Sequence, residues 1–513
     1  MIHRWAVPGA VLTGVTAGGL VLVMNLSPRL PGTHSDGVEY VAAAESLARH
    51  GAFTIPVTHW SDPDSVTALS HYPPGFSLAI AAPMRVAGVS AEASVELVLA
   101  AGAALATGMT FWLAAAAGGL WAGGLAALLF VSTPALSRLY VAVWSECLYL
   151  GIALAVLWTL VAWPRRRLLH GVLAAVGVAV RYVGVAGALA AMWFAWFRGR
   201  DLRDRLIGVA LTGTPTLAVL LGWQAFAGSA GEEIRVVGVY AGLPAQSRQF
   251  LLLVADWLSP LSLRSFVPVE WVILALPVGI AAVMFGGWPR SAEDPSGTAR
   301  RIRSVLVVFG AAYGGVVVVS RLFLDPLIPF DTRLFAPVLL TITVGFAVCV
   351  VQRARRWPPS RGVALFGVVA VWMCLGIVDV REIVSQSGHV GRFYTHDAWV
   401  AAGDDSAVGW AFRESAGYPY LYSNEAALVF YHGGRAAKHL VRSNEDADAF
   451  QEAFRQRPGP VLVTFPLKTV DVPPDDFVSA LGLRLFRDTG EAKLYLPGGS
   501  PELQQPERAG PDG

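Results

Sequence analysis

Residues Ser35–Phe76 read SDGVEYVAAAESLARHGAFTIPVTHWSDPDSVTALSHYPPGF, a polar stretch between a first hydrophobic segment, Trp5–Leu26, and a long series of apolar runs. It opens with Ser35-Asp36-Gly37-Val38-Glu39-Tyr40, which puts two carboxylates at i and i+3 on one face of a short helix. Asp36 followed by Glu39 reads as a capping-box-like start, and Gly51 as the residue that closes the helix. The stretch ends in His71-Tyr72-Pro73-Pro74-Gly75, where two prolines and a glycine fix a stiff turn into the next apolar segment.

What surrounds this stretch sets the class. The chain has 513 residues, of which 54% are hydrophobic and 15% charged, and a formal net charge of +2. Several windows of about 20 residues carry almost no charge, the length a helix needs to cross the hydrocarbon core. The expected fold is an α-helical polytopic membrane protein of about eleven passes. Trp5–Leu26 is long for a secretion signal and no small-residue cleavage pattern follows it, so it reads as a retained first helix. The later runs cover 92–117, 119–137, 145–163, 168–181, 182–197, 206–228, 267–286, 304–320, 334–351 and 362–380. The pair between Leu168 and Phe197 is short and reads as a hairpin of half-length helices. The three cysteines, Cys147, Cys349 and Cys374, lie in or beside apolar segments without metal-ligand spacing and read as buried core.

Arginines give the expected orientation. Arg165-Arg166-Arg167, then Arg198, Arg200, Arg203 and Arg205, then Arg300, Arg301 and Arg303, and finally Arg353, Arg355 and Arg356 alternate with loops poor in basic residues. The positive-inside rule places these clusters and the N-terminus in the cytoplasm of a protein of the cell membrane. The opposite side then collects the Asp36 loop, Ser145-Glu146 at a helix start, the Arg181-Tyr182 apex of the short hairpin and the loop Arg321–Arg333. A charged group at bilayer depth costs about 2.5–3.5 kcal/mol on insertion scales, so such groups usually line a cavity and have a partner. No basic stripe suggests a nucleic-acid partner.

Residues 1–380 are expected to form the membrane module, with 27–91 as its outward loop. Ser247–Trp257 reads as an amphipathic interfacial helix. From Arg381 to Pro497 polar and apolar residues alternate as in a soluble fold. The expected elements are a helix at Ala407–Arg413, a strand at Tyr418–Tyr422, a helix at Glu425–Tyr431, a strand at Val461–Phe465 and a hairpin turning at Asp488-Thr489-Gly490. Together they make a small extracytoplasmic α/β domain over 381–497. The tail 498–513, rich in Pro, Gly, Glu and Gln, is predicted to be disordered.

Each charged residue has a structural and a chemical reading. A carboxylate at Asp36, just after the first membrane helix, can take a proton from an attacking hydroxyl. Glu146 begins a helix, where the dipole alone favours an acid. Arg181, Arg321 and Arg333 carry planar guanidinium groups that match phosphate oxygens with paired donors, or they snorkel to headgroups. His71 and Tyr72 can contact a donor or an acceptor. Asp36, Glu39 and Glu146 could jointly hold a divalent cation through oxygen ligands, although three scattered acids are weak evidence for one; no cofactor is expected, and a divalent metal stays open.

The chain resembles the bacterial GT-C glycosyltransferases, multi-pass enzymes that use polyprenyl-phosphate sugars and include protein O-mannosyltransferases and lipid A aminoarabinose transferases. The resemblance rests on Asp36-Gly37-Val38-Glu39-Tyr40, His71-Tyr72-Pro73-Pro74-Gly75, Ser145-Glu146 and Asp331-Thr332-Arg333-Leu334-Phe335-Ala336-Pro337. The family has an adjacent acidic pair in its first loop. Here Gly37 follows Asp36 and the second acid comes at Glu39. What the resemblance implies is an inverting transfer of a mannose-like or other hexose or pentose from a polyprenyl-phosphate donor to a glycan, lipid or protein acceptor hydroxyl. In that reading Asp36 is the base, with Glu39 and Glu146 as further catalytic acids. Arg181, Arg321 and Arg333 hold the lipid phosphate, and Tyr40, His71, Tyr72 and Asp331 touch the substrates. A transporter of a lipid-linked saccharide would also place arginines and acids in an outward cavity. It would spread polar groups through the membrane depth and carry internal repeats, and neither pattern is present. A receptor whose C-terminal domain binds a ligand would leave the Asp36 loop idle.

Overall fold

The computed structural model describes residues 2–25, 35–61, 66–229, 288, 297–323, 331–385, 409–415, 417–433, 436–440, 447–464, 480–488 and 492–498. The predicted run 267–286, the predicted interfacial helix 247–257 and nearly all of the tail lie outside them.

In chain order, helix α1 spans Ile2–Asn25 and α2 Ser35–His50, and short strands β1 Thr54–Ile55, β2 Val57–Thr58 and β3 Thr67–Ala68 follow. Then come α3 Gly75–Ala87, α4 Ala91–Gly118, α5 Leu120–Ser132, α6 Pro134–Ser137, α7 Glu146–Ala162, α8 Arg167–Val180, α9 Val185–Arg198 and α10 Leu202–Ser229. Helices α11 Thr298–Phe323, α12 Thr332–Arg356 and α13 Pro359–Ser385 complete the apolar part. The remainder is α14 Gly409–Glu414, β4 Tyr422–Ser423, α15 Ala426–Gly433, β5 Ala437–His439, α16 Ala447–Gln456, β6 Val461–Thr464, β7 Leu483–Asp488 and β8 Ala492–Pro497.

Two compact units result: residues 1–32 with 70–390, and residues 33–69 with 391–513. This corrects the boundary read from hydropathy. The first polar loop is continuous in sequence with the membrane helices, yet its residues 33–69 fold with the C-terminal part.

The first unit is a multi-pass helical bundle. Among the described residues six helices are long and apolar enough to cross a membrane, or seven if the pair Leu120–Ser132 and Pro134–Tyr140, bent by 66°, is one span. The bend falls where Pro134 removes an amide donor and disfavours helix at Thr133, splitting the run predicted at 119–137. Helices α3, α7 and α8 are shorter apolar helices. The hairpin expected between Leu168 and Phe197 is present as α8, a 3-10 turn at Tyr182–Gly184 and α9. Local chemistry fixes several ends: Ser90 caps α4 by accepting from the Ala93 amide at 3.2 Å, and Gly88 closes α3 at φ +65°. At the basic end predicted to be cytoplasmic, Arg167 grips Asp204 through both carboxylate oxygens, at 2.6 and 2.9 Å, tying the start of α8 to that of α10. The outer faces of α1 and α13 expose Val7, Val11, Val15, Val363, Val368 and Val371, as helices that contact lipid do. Cys147 and Cys349 are buried as expected, but Cys374 is exposed, because α13 presents most of its apolar surface outward.

The second unit is α/β. Its six-stranded sheet has the order β2-β5-β4-β6-β8-β7. The first four strands are parallel, and β8 pairs antiparallel with both β6 and β7. Helices α15 and α16 make the crossovers β4-α15-β5 and β5-α16-β6, the connection that parallel strands require. On α16, Phe450 and Phe454 at i and i+4 enter the core with Trp60, Tyr422, Leu440, Val461, Val463 and Tyr495. Burial pushes the Tyr422 phenol up to about 12, and its hydroxyl donates to the Arg457 carbonyl at 2.8 Å.

The first loop enters this core directly. Val57 and Thr58 align with Ala437 and Lys438 on β5, and Trp60 meets Phe450 edge-on at 5.4 Å. Lys438, 2% exposed, donates to Thr58 Oγ1 at 3.2 Å. Trp60→Ala is therefore expected to destabilise the C-terminal unit by about 3 kcal/mol. Limited proteolysis followed by mass spectrometry would show the cuts: new ones within 409–498 are predicted, and new ones confined to the membrane helices would contradict this packing.

Candidate functional site

In the membrane unit the polar groups gather at one turn, Trp144-Ser145-Glu146, which leads into α7. Glu146 is 5% exposed, and a buried carboxylate needs a partner. Arg181 supplies it: its Nη1 stands 2.6 Å from Glu146 Oε1 and donates to Ser145 Oγ at 3.1 Å. Arg181 reaches this turn because it sits in extended backbone between α8 and the 3-10 turn, at the apex of the short hairpin. The hairpin closes tightly at Gly184, where a Cβ would collide with the backbone of Gly177 and Val178.

Arg333 approaches the same turn from α12. Its guanidinium lies 5.0 Å from the ring centroid of Trp144, and its Nε donates to Asp331 Oδ2 at 2.9 Å. The other oxygen of Asp331 caps α12 by accepting from the Leu334 amide at 2.9 Å. One aspartate therefore both starts the helix and aims the arginine. Two guanidinium groups, 152 positions apart in sequence (333 − 181), converge on three consecutive residues. Both side chains remain about a quarter exposed, at 23% for Arg181 and 28% for Arg333.

The His71–Gly75 motif abuts the same region. A Cβ on Gly75 would stand 2.6 Å from the Ala179 carbonyl oxygen and 2.9 Å from the Val180 nitrogen, so only glycine lets α3 start against the last turn of α8, next to Arg181. His71 and Tyr72 pack ring to ring at 4.2 Å just before it. Arg321 lies in the last turn of α11, the helix that carries Tyr313. Tyr313 donates to the Leu334 carbonyl at 2.5 Å.

Asp36, Glu39 and Tyr40 belong to the other unit, on α2. The helix begins at Ser35, so Asp36 stands in its first turn, where the dipole favours a carboxylate, rather than at the cap position predicted for it. Gly51 ends the helix at φ +71°, its amide bonded to the Leu47 carbonyl at 3.1 Å. Glu39 and Tyr40 are buried at 6% and 4% exposed, and Asp36 is half-buried. Among the described residues no three His, Cys, Asp or Glu side chains cluster to hold a metal ion.

The structure thus joins Glu146 to Arg181 and Asp331 to Arg333, and brings both arginines to one turn. Sequence reasoning missed Trp144 and Tyr313.

No protein-family profile and no curated protein sequence matches the chain. Solved structures do. The chain superimposes on ArnT from Cupriavidus metallidurans, bound to undecaprenyl phosphate, with a TM-score of 0.57 at 12% identity, covering 94% of this chain and 97% of that one. AglB, the archaeal oligosaccharyltransferase from Archaeoglobus fulgidus, in complex with an inhibitory peptide and a dolichol-phosphate, gives 0.53 at 12% identity over 90% and 69%. The arabinofuranosyltransferase AftD from Mycobacteria gives 0.52 at 15% identity over 97% and 40%. These likenesses establish the fold, which this chain shares with ArnT, AglB and AftD.

Proposed function

We propose that this protein is an inverting glycosyltransferase that moves a sugar from a polyprenyl-phosphate donor to an acceptor hydroxyl of a glycan, lipid or protein on the outer side of the membrane. The observation that carries this reading is the convergence of Arg181 and Arg333 on the Trp144–Glu146 turn within a GT-C fold. Two guanidinium groups at the membrane unit's polar turn suit a ligand with a phosphate head and an apolar tail. Undecaprenyl phosphate and dolichol-phosphate, held by two of the structural neighbours, have that chemistry.

The reaction balances without a cofactor. The acceptor oxygen forms a bond to the anomeric carbon as the bond from that carbon to the phosphate oxygen breaks. The lipid phosphate departs with the electron pair, and the acceptor's proton passes to the Asp36 carboxylate. Arg181 and Arg333 stabilise the charge that grows on the departing phosphate. Glu146 holds Arg181, and Asp331 aims Arg333.

Binding of undecaprenyl phosphate to the detergent-purified full chain tests the phosphate assignment. Arg181→Gln and Arg333→Gln are each expected to weaken it by about tenfold or more, the scale of one lost charge-assisted hydrogen bond. Wild-type affinity in both folded variants would overturn the assignment.

A further inference from the structure

Among the described residues the Tyr149 hydroxyl has no hydrogen-bond partner, although the residue is only 2% exposed. A buried phenol normally finds an acceptor, and phenylalanine would fill the same space without stranding a polar group. The surroundings suggest what the hydroxyl serves. Its ring lies against Gly177, where a Cβ would be 3.5 Å from the Tyr149 ring, and the Gly177 carbonyl accepts from the Arg181 amide at 2.9 Å. Glu146, the partner of Arg181, stands one helical turn before it on α7. The Tyr313 ring lies 6.4 Å away, and the Tyr313 hydroxyl donates to the Leu334 carbonyl in the turn that orients Arg333. Tyr149 therefore neighbours both the element that presents Arg181 and the residue bonded to the turn that presents Arg333.

We infer that the Tyr149 hydroxyl is a third donor of the phosphate site, giving its hydrogen bond to an oxygen of the lipid phosphate alongside the two arginines. This rests on the phosphate reading proposed above. A phosphate monoester offers more acceptor sites than two guanidinium groups occupy, and a neutral phenol adds a donor without adding charge. The quarter-exposed side chain of Arg181 is where the cluster opens.

The test compares the full-length wild type, Tyr149→Phe, Arg181→Gln and Arg333→Gln for binding of undecaprenyl phosphate, with undecaprenol as the probe that lacks the phosphate. Tyr149→Phe is expected to fold with a melting temperature at or above that of the wild type and to bind undecaprenyl phosphate about tenfold more weakly, with undecaprenol binding unchanged. Wild-type affinity for undecaprenyl phosphate in Tyr149→Phe would overturn the inference, and so would an equal loss for undecaprenol, which would mark a packing effect. If the arginine variants are weakened and Tyr149→Phe is not, the tyrosine role alone falls. If none of the three is weakened, the phosphate reading falls with it.

Discussion

Asp36→Asn is expected to reduce sugar transfer by about 10²–10⁴-fold while leaving undecaprenyl phosphate binding unchanged, because it removes a proton acceptor and no phosphate-binding group. Asparagine has nearly the same shape as aspartate and tolerates the first turn of a helix. Asp36 is half-buried and stands in that turn of α2, so the substitution alters charge with little change in packing. An unchanged melting temperature beside a collapsed turnover number identifies a base. Loss of both identifies a structural residue.

Glu146→Gln is expected to have the largest effect on the membrane unit. Removing one partner of a buried ion pair costs about 3–5 kcal/mol, because the other charge remains without its counter-ion. Here the remaining charge is Arg181, which would lose the 2.6 Å contact that orients it. Lower thermal stability and weaker undecaprenyl phosphate binding are predicted together. The double variant Glu146→Leu with Arg181→Met separates the two, since replacing a buried pair by apolar residues of similar size is often neutral. It is expected to regain most of the stability and none of the binding. Recovery of binding would show that neither charge serves the ligand.

Much of the architecture was legible in the sequence because its signals are local. Apolar runs of membrane length marked most of the helices, and the Leu168–Phe197 pair showed its half-length hairpin through the shortness of each run. Gly51 ends α2 through a positive φ, as its position after the polar helix suggested. Glu425–Tyr431 and Val461–Phe465 correspond to α15 and β6 within a residue or two.

What was not legible depends on contacts distant in sequence. Val57 and Thr58 form a two-residue strand, too short for alternation to show, and their place in the C-terminal sheet follows only from pairing with Ala437 and Lys438. The loop was therefore assigned to the membrane module. Arg181 was singled out by topology, but its pairing with Glu146 arises from packing of α7 against α8. Tyr149 has the ordinary sequence appearance of a core aromatic and stands out only once its hydroxyl is seen to lack a partner among the described residues.

The most direct measurement is transfer of radiolabelled sugar from polyprenyl phosphate in membranes that contain either the wild type or Asp36→Asn, with equal amounts of detergent-stable protein. Transfer by the wild type and its loss in Asp36→Asn is the predicted result. Donor left unconsumed by both proteins, or equal transfer by both, would contradict a glycosyltransferase that uses Asp36 as its base.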